Sequence, residues 1–199
     1  DLRLRNWDPF PVPPEQLAAY PDLRVLALPS NLGFVRGNNA GIAAAPAGND
    51  IVLLNNDLEF LQRDWLQRLR AAAHSAPDIG VVGCRQVLSD GRLLHAGTYV
   101  LPDTMWGQQI GALEHDIGQF TGRRPVEGIT FAVAYLTRAV ISAIGGLAED
   151  FESYFEDTDY CLRARRAGFR TLYAGDSQVV HDEHGSTAGN DAGRTALFE

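Results

Sequence analysis

The stretch "DIVLLNNDLEF", residues 50–60, decides the predicted fold of this chain. Residues 50–54 predict a strand, and their apolar run without alternation is typical of a strand buried on both faces. Asn55, Asn56 and Asp57 follow directly. Open α/β sheets bind ligands beyond the carboxyl ends of their strands, so these polar groups indicate a ligand site. A polar turn that caps the next helix is the alternative interpretation.

Strand and helix patterns alternate on both sides of this stretch. Such an alternation predicts a sheet of parallel strands with helices packed against it. In the helix after Asp57, the spacing places Trp65, Leu66 and Leu69 on one face. The predicted elements are strands at 23–28, 50–54 and 79–83, helices at 41–48 and 63–77, and a glycine-containing loop, "NLGFVRGNN", at 31–39.

The second half of the chain has a different pattern. "CRQVLSDGRLLHAGTYV" predicts a hairpin that turns at Asp90-Gly91. "DTDYCLRARRAG" predicts a helix that stops at Gly168, and "FRTLYA" predicts a short final strand. The remaining predictions are a long loop at 101–125 and a mobile polar tail at 185–199.

Composition narrows the class of protein. A length of 199 residues fits one domain, and the formal net charge of −8 argues against a nucleic-acid surface, which needs basic side chains. The sequence contains no run of about 18 apolar residues, so no membrane span is predicted. Cys84 and Cys161 lie far apart without metal-type spacing, which favours a reduced cytosolic compartment.

A second acidic cluster stands in "YFEDTDY" and contains Glu156, Asp157 and Asp159 at a predicted helix start. One carboxylate there is an ordinary cap. Three crowded carboxylates repel one another, so the cluster indicates either a cation or a group that works as a base. Asp159 and Arg163 stand at i and i+4, the spacing of a structural ion pair.

The ordered set of motifs resembles family 2 glycosyltransferases with the GT-A fold, and especially bacterial rhamnosyltransferase-like members that build surface polysaccharides of the cell envelope. The motifs are "SNLGFVRGNNAGI", "DIVLLNNDLEF", "DWLQRL", "LLHAG", "IGGL", "YFEDTDYCLRARRAGFR" and "VVHDEHGS". The resemblance implies a single GT-A-like domain over residues 1–199, with a mixed, mostly parallel sheet flanked by helices. Only seven residues precede Asp8, so the family's first strand and helix are expected to be absent.

The resemblance also implies a metal site. Asn55-Asn56-Asp57 occupies the place of the family's Asp-x-Asp motif, with Asp57 as the metal-facing carboxylate and Asn55 as a neutral ligand or sugar contact. His181 matches a histidine that reaches the metal or diphosphate in several members. The implied cofactor is Mg²⁺ or Mn²⁺, which would neutralise a diphosphate leaving group. Zinc at His181 and His184 is disfavoured, because His-x-x-His without a nearby Cys is a poor zinc site.

Further donor-binding residues are implied by the same resemblance. Arg36 would meet the diphosphate, although a solvated surface charge is an equal alternative. Asp8, in "NWDPF", would recognise the nucleotide base. The donor-binding residues implied are Asp8, Asn31, Gly33, Arg36, Asn39, Asn55, Asn56 and Asp57.

Asp157 matches the family's catalytic base, which takes a proton from the acceptor hydroxyl as that oxygen attacks with inversion. Glu156 would orient this base or the acceptor. Phe131 and Ala148 depart from the family's usual residues on the acceptor side of the site. A nucleotidyltransferase is disfavoured, because it would need an early Gly-rich, Lys-bearing loop that the chain does not contain.

The implied activity is metal-dependent transfer of a hexose, with rhamnose the expected sugar, from a dTDP- or UDP-linked donor to a saccharide or lipid-linked acceptor. No nucleic acid is expected as a partner. A cytoplasmic location with transient contact at the inner face of the plasma membrane is expected from lipid-linked acceptors. The alternative function is a non-catalytic GT-A-like module that binds a glycan or a partner.

Overall fold

A computed structural model describes Tyr20, residues 22–151 and residues 154–182, and the chain divides into two compact units. The larger unit, residues 33–182, contains all the helices and strands of the described residues. Its helices are α1 Gly33–Ala44, α2 Trp65–Ala73, α3 Arg138–Ile144 and α4 Glu156–Arg166. Its strands are β1 Ile51–Leu54, β2 Leu58–Phe60, β3 Ile79–Val87, β4 Leu93–His95, β5 Thr98–Val100, β6 Gly107–Gln109, β7 Arg123–Val126, β8 Val133–Leu136 and β9 Arg170–His181.

The smaller unit contains residues 1–32 and 183–199. Within its described part, no residue lies in a helix or strand, so the predicted strand at 23–28 is wrong. Leu23, Val25 and Leu26 are each more than half exposed. An apolar run forms a stable strand only where a neighbouring strand accepts its backbone hydrogen bonds and where its side chains are buried, and neither condition holds here.

The larger unit is built on a seven-stranded mixed sheet with the strand order β1-β8-β3-β9-β2, in which β4 also pairs with β3 and β7 with β9. β3 and β9 are parallel, whereas β8 is antiparallel to both β1 and β3. The predicted mixed sheet is therefore confirmed, with β1, β3 and β9 running in one direction. The prediction that the sheet is mostly parallel is wrong, because β3 and β9 are the one parallel pair among the described strands and the other pairs are antiparallel.

Helices bury apolar side chains on this sheet. One cluster joins Val35 of α1 and Tyr160 of α4 to β8 and β3, and a second joins Leu69 of α2 to β3, β8 and β9. Cys84 and Cys161 are free and buried in these clusters, and burial raises the pKa of each thiol to about 12. No helix of the described residues is long and apolar enough to cross a membrane.

Two helix predictions need correction. α1 begins at Gly33, not at residue 41, so most of the segment predicted as a glycine loop is helical. Low helix propensity at Gly37 and its asparagine neighbours is overridden because Val35 and other apolar residues pack on the core. α2 forms where predicted and buries Leu69, but Leu66 is 40% exposed and does not share the core face.

Strand predictions after residue 83 are partly confirmed. The hairpin forms between β3 and β4, and Gly91 at its turn has φ of +84°, a conformation that favours glycine. The segment predicted as a long loop contains β6 and the start of β7, whose polar sequences "GQQ" and "RRPV" carry no strand pattern. β9 continues to His181 and is twice as long as predicted. Residues 185–199 lie outside the described residues.

Candidate active site

Asp57 and His181 meet at the end of the sheet. Leu58, the first residue of β2, pairs directly with His181, the last residue of β9. Asp57 immediately precedes Leu58, and its Oδ1 lies 3.3 Å from His181 Nε2. The backbone N–H of Asn55 donates to the Ala132 carbonyl at 2.9 Å, which fixes the turn that carries Asp57. The sheet register thus brings together the two residues predicted as metal ligands.

This pair fits a divalent cation. Asp57 Oδ1 is buried and accepts no hydrogen bond from a described residue, because its contact with His181 lacks hydrogen-bond geometry. An unpaired buried carboxylate oxygen is costly, and a cation between it and an imidazole nitrogen would satisfy both atoms. Among the described residues, no group of three His, Cys, Asp or Glu side chains could hold a metal.

The amide groups beside Asp57 are available to a ligand. Asn55 is half-buried and Asn56 is exposed. Neither side chain forms a hydrogen bond with another described residue. Both residues directly precede Asp57 in the chain, and their contact with a donor stays a prediction.

The second acidic cluster opens α4. Tyr154 and Phe155 both have left-handed backbone conformations, with φ of 67° and 65°, immediately before the helix. Such strain in non-glycine residues is concentrated at functional sites. Asp157 Oδ1 accepts from the Thr158 backbone N–H at 2.6 Å and from the Thr158 hydroxyl at 3.2 Å. The backbone N–H of Phe131 also interacts with this carboxylate and lowers its pKa slightly.

Burial raises the pKa of the Asp157 carboxyl above its ordinary value, and the hydrogen bonds from Thr158 and Phe131 only partly offset this rise. Burial, followed by repulsion from Asp157, raises the pKa of the neighbouring Glu156 carboxyl to about 7. Glu156 is 7% exposed, and its Oε2 has no hydrogen-bond partner. Two adjacent carboxyls that resist ionisation are typical of an acid–base site.

Glu156→Gln is expected to stabilise the protein at high pH. The folded state holds the Glu156 proton up to about pH 7, whereas the unfolded state loses it near 4.5. The wild-type free energy of unfolding therefore falls as pH rises through this window, and glutamine cannot ionise. We expect a gain of up to about 3 kcal/mol at pH 8 and almost none at pH 4, measured by urea denaturation.

The matched control is Glu149→Gln, which removes an exposed carboxylate paired with Arg36 at 3.4 Å. Its effect should stay below about 1 kcal/mol, because exposed ion pairs contribute little. An equal gain for Glu156→Gln at pH 4 and pH 8 would contradict the raised pKa of Glu156.

The residues of segment 130–132 interact with both acidic clusters. Thr130 Oγ1 accepts from Gln86 at 2.7 Å, and Gln86 in turn contacts His181. The backbone N–H of the next residue, Phe131, interacts with the Asp157 carboxylate, and the Ala132 carbonyl accepts from the Asn55 N–H in the turn before Asp57. Consecutive Cα atoms are about 3.8 Å apart, so the two clusters are tied to positions within two peptide units of each other.

Other predicted site residues make contacts inside the fold. Asn39 Nδ2 donates to the Leu147 carbonyl at 2.9 Å, and its Oδ1 accepts from the Leu147 N–H at 2.8 Å. This amide therefore fixes the segment between α3 and α4. Arg36 pairs with exposed Glu149, and Gly33 begins α1 with φ of 74°. Asn39 and Arg36 thus contact other residues of the fold, and Gly33 starts a helix. Contact of any of these three residues with a donor stays a prediction.

Two predicted donor residues belong to the smaller unit. Asn31 is exposed there, and Asp8 lies outside the described residues, as does His184. The predicted ion pair of α4 is confirmed, because Arg163 Nε donates to Asp159 Oδ2 at 2.7 Å.

Sequence reasoning missed Gln86, Thr130 and His95. His95 is fully buried, its Nδ1 contacts Gln109, and its Nε2 lies 3.4 Å from the Thr130 backbone nitrogen. Burial lowers the pKa of His95 to about 4, so the ring is neutral at pH 7. A glutamine between buried positions of the mainly apolar strand β3, next to Arg85, was the signal that could have revealed this buried polar network.

A cavity of about 330 Å³ lies along another face of α4. Its lining includes Met105, Trp106 and Phe155, with Asp159 and Arg166 further along the helix. Phe155 and Arg166 are separated by three helical turns on one face, whereas Asp157 lies on the opposite face. The cavity therefore adjoins the helix that carries the acidic cluster without including Asp157.

Comparison with known proteins identifies the family. The model of glycosyltransferase-like family 2 matches residues 14–194, so the chain belongs to this family. The protein y4gI of Sinorhizobium fredii is 30% identical over 85% of this chain and 19% of its own length. The O-antigen biosynthesis protein RfbC of Myxococcus xanthus is 28% identical over 74% of this chain and 12% of its own length.

A third relative is the N-acetylglucosaminyl-diphospho-decaprenol L-rhamnosyltransferase of Mycobacterium tuberculosis, which is 24% identical over 92% of this chain. The chain spans 66% of that enzyme's length and much smaller parts of y4gI and RfbC. The predicted resemblance to family 2 and its rhamnosyltransferase-like members is thus confirmed.

Solved structures show the same fold. GalNAc-T7 with UDP, GalNAc and Mn²⁺ aligns with a TM-score of 0.69 and 14% identity, over 88% of this chain and 35% of that chain. The mannosyltransferase PcManGT from Pyrobaculum calidifontis, in complex with GDP-Man and Mn²⁺, aligns with a TM-score of 0.59 and 15% identity, over 91% and 45%. These likenesses confirm the predicted GT-A fold.

Proposed function

We propose that this chain carries the catalytic site of an inverting, metal-dependent glycosyltransferase. It moves a sugar from a nucleotide-diphosphate donor to a hydroxyl of a saccharide or lipid-linked acceptor. The observation that carries the proposal is the tie of both acidic clusters to segment 130–132, with the Asp57–His181 pair on one side and Asp157 on the other.

Asp57 and His181 would hold Mg²⁺ or Mn²⁺ through a carboxylate oxygen and an imidazole nitrogen. When bound, the cation supplies positive charge to the diphosphate, which becomes the leaving group. Asn55 and Asn56 donate hydrogen bonds from their free amides to the donor's polar groups. The further donor contacts proposed from the family resemblance are Asp8, Asn31, Gly33, Arg36 and Asn39.

Asp157 takes the proton from the acceptor hydroxyl while that oxygen attacks the anomeric carbon. A base with a raised pKa holds this proton better than an ordinary aspartate, which favours its transfer. Glu156, with a pKa of about 7, is half protonated near neutrality and can donate a hydrogen bond that orients the acceptor or Asp157.

Calorimetry with UDP and dTDP, each with and without Mn²⁺, tests the donor side of this proposal. We expect nucleotide binding to tighten at least about tenfold with the metal, since cation and carboxylate act together on the diphosphate. Release of nucleotide from UDP-sugars and dTDP-rhamnose then identifies the donor, for which dTDP-rhamnose is our expectation. Binding that is equal with and without metal would contradict the proposal.

The relative named for a decaprenol-linked substrate supports a lipid-linked acceptor, and hence contact with the inner face of the plasma membrane, in the synthesis of a surface polysaccharide. Vesicles that contain a polyprenyl-diphosphate saccharide would test this acceptor, with the free saccharide as the control. Faster transfer to the free saccharide would contradict the membrane part of the proposal.

A glycan-binding module without transferase activity is the second candidate function. The aromatic cavity along α4 favours it, because Trp106 and Phe155 offer apolar faces to a sugar ring, with Asp159 and Arg166 as polar partners. Glycan binding without metal or nucleotide, together with no donor turnover, would support this candidate over the enzyme.

A further inference from the structure

Gln86 is the polar centre of the site. It lies in β3, is 1% exposed, and pairs in the sheet with Val179 of β9 and His95 of β4. Its Nε2 donates to Thr130 Oγ1 at 2.7 Å, and its Oε1 lies 3.2 Å from His181 Nδ1. Both ends of the buried amide are therefore hydrogen-bonded to groups that shape the site.

The orientation of this amide fixes the tautomer of His181. In the amide orientation of the structure, Gln86 Nε2 donates to Thr130 Oγ1 and the carbonyl oxygen faces His181 Nδ1. A carbonyl oxygen can only accept, so this orientation requires the hydrogen of His181 to be on Nδ1. A neutral imidazole with its hydrogen on Nδ1 has a lone pair on Nε2, which lies 3.3 Å from Asp57 Oδ1. Asp57 Oδ1 accepts no hydrogen bond from a described residue, so these two acceptor atoms can bind one cation together.

We propose that Gln86 is the positioning residue of the active site, and this inference rests on the proposed function. Its oxygen prepares His181 as a metal ligand, and its nitrogen fixes segment 130–132, in which the Phe131 backbone N–H interacts with the Asp157 carboxylate. One buried side chain therefore sets the positions of the metal-binding and proton-accepting groups together.

The first test reads the His181 tautomer directly. Nitrogen-15 NMR of the imidazoles in the full chain, at a pH where His181 is neutral and without metal, should show the proton on Nδ1. In Gln86→Leu the acceptor is lost, so both tautomers should be populated. Gln86→Glu keeps an acceptor for Nδ1–H and should retain the wild-type tautomer. A wild-type His181 with its proton on Nε2 would overturn the proposal.

The second test measures metal affinity by titrating Mn²⁺ into the UDP-bound protein and following the electron paramagnetic resonance signal. Gln86→Leu should weaken Mn²⁺ binding by about 10–100-fold, the usual cost of losing an outer-sphere partner of a metal ligand. Gln86→Glu should recover most of the loss. A folded Gln86→Leu variant that binds Mn²⁺ within about twofold of wild type would overturn the proposal.

Gln62→Leu is the matched control. Both ends of the Gln62 amide are also hydrogen-bonded, to the Asp176 carbonyl and the Gln178 N–H, but this amide contacts neither His181 nor segment 130–132. Its Mn²⁺ affinity should stay within about twofold of wild type, and a loss equal to that of Gln86→Leu would reduce Gln86 to a general packing role.

The two proposals can fail separately. If the wild-type protein binds no Mn²⁺ in the presence of UDP, the proposed function fails, while the wild-type tautomer still decides the role of Gln86 in holding His181. If Gln86→Leu does not fold, the His181 tautomer and the Mn²⁺ affinity are measured on the wild-type protein and on Gln86→Glu.

Discussion

Asp157→Asn is expected to reduce sugar transfer by about 10²–10⁴-fold, the usual contribution of a general base. Asparagine keeps the size of the side chain and can accept from the N–H groups of Thr158 and Phe131, but it cannot take a proton from the acceptor. Donor affinity should change by less than about threefold, because the Asp57–His181 pair is untouched. Initial rates and calorimetry with UDP and Mn²⁺ measure the two effects.

The matched control is Asp150→Asn, which changes an exposed aspartate before α4 and should leave the rate unchanged. The wild-type rate should also fall as pH drops through the raised pKa of Asp157, since only the ionised carboxylate accepts a proton. Equal losses of donor binding and turnover in Asp157→Asn would remove Asp157 from the role of base.

Asp57→Ala should weaken UDP binding by at least about 10–100-fold when Mn²⁺ is present, since loss of a direct ligand costs no less than loss of an outer-sphere partner. Without metal, UDP affinity should stay the same or improve, because a negative charge beside the diphosphate has been removed. Calorimetry at several Mn²⁺ concentrations separates these terms.

The control for this variant is Asp78→Ala, which removes a carboxylate paired with Arg170 at the other end of β9. It should leave the metal dependence of UDP binding unchanged. If Asp57→Ala retained that dependence in full, Asp57 would not be a ligand and the cation would need another site.

The sequence predicted the two acidic clusters well, because each follows from local chemistry. An apolar run ending at Leu54 predicts a strand, which β1 confirms, and the residues after it then lie at the end of that strand. The predicted burial of this strand on both faces is wrong, because β1 is an outermost strand of the described sheet and Leu54 is 44% exposed. Acidic residues at the start of α4 and a glycine after its end gave that helix nearly its true bounds. The roles of Asp57 and Asp157 came from family resemblance and stay predictions.

Non-local pairing explains most of what the sequence did not reveal. The apolar segment 23–28 has the composition of a strand but no partner in the described structure, whereas polar β7 is a strand because β9 pairs with it. The role of Gln86 depends on His181 and Thr130, which are distant in the chain. No local sequence pattern predicts these contacts of Gln86. The one local signal was a polar amide at a buried position of β3.

The register between Leu58 and His181 has a consequence for how the protein is made. Asp57 leaves the ribosome long before His181, and the two meet only when the end of β9 docks against β2. A cation bound by both residues could therefore be captured only after this docking, and its binding should then stabilise this edge of the sheet. Slower hydrogen–deuterium exchange at residues 58–60 and 179–181 after addition of Mn²⁺ and nucleotide would show that ligand capture completes folding.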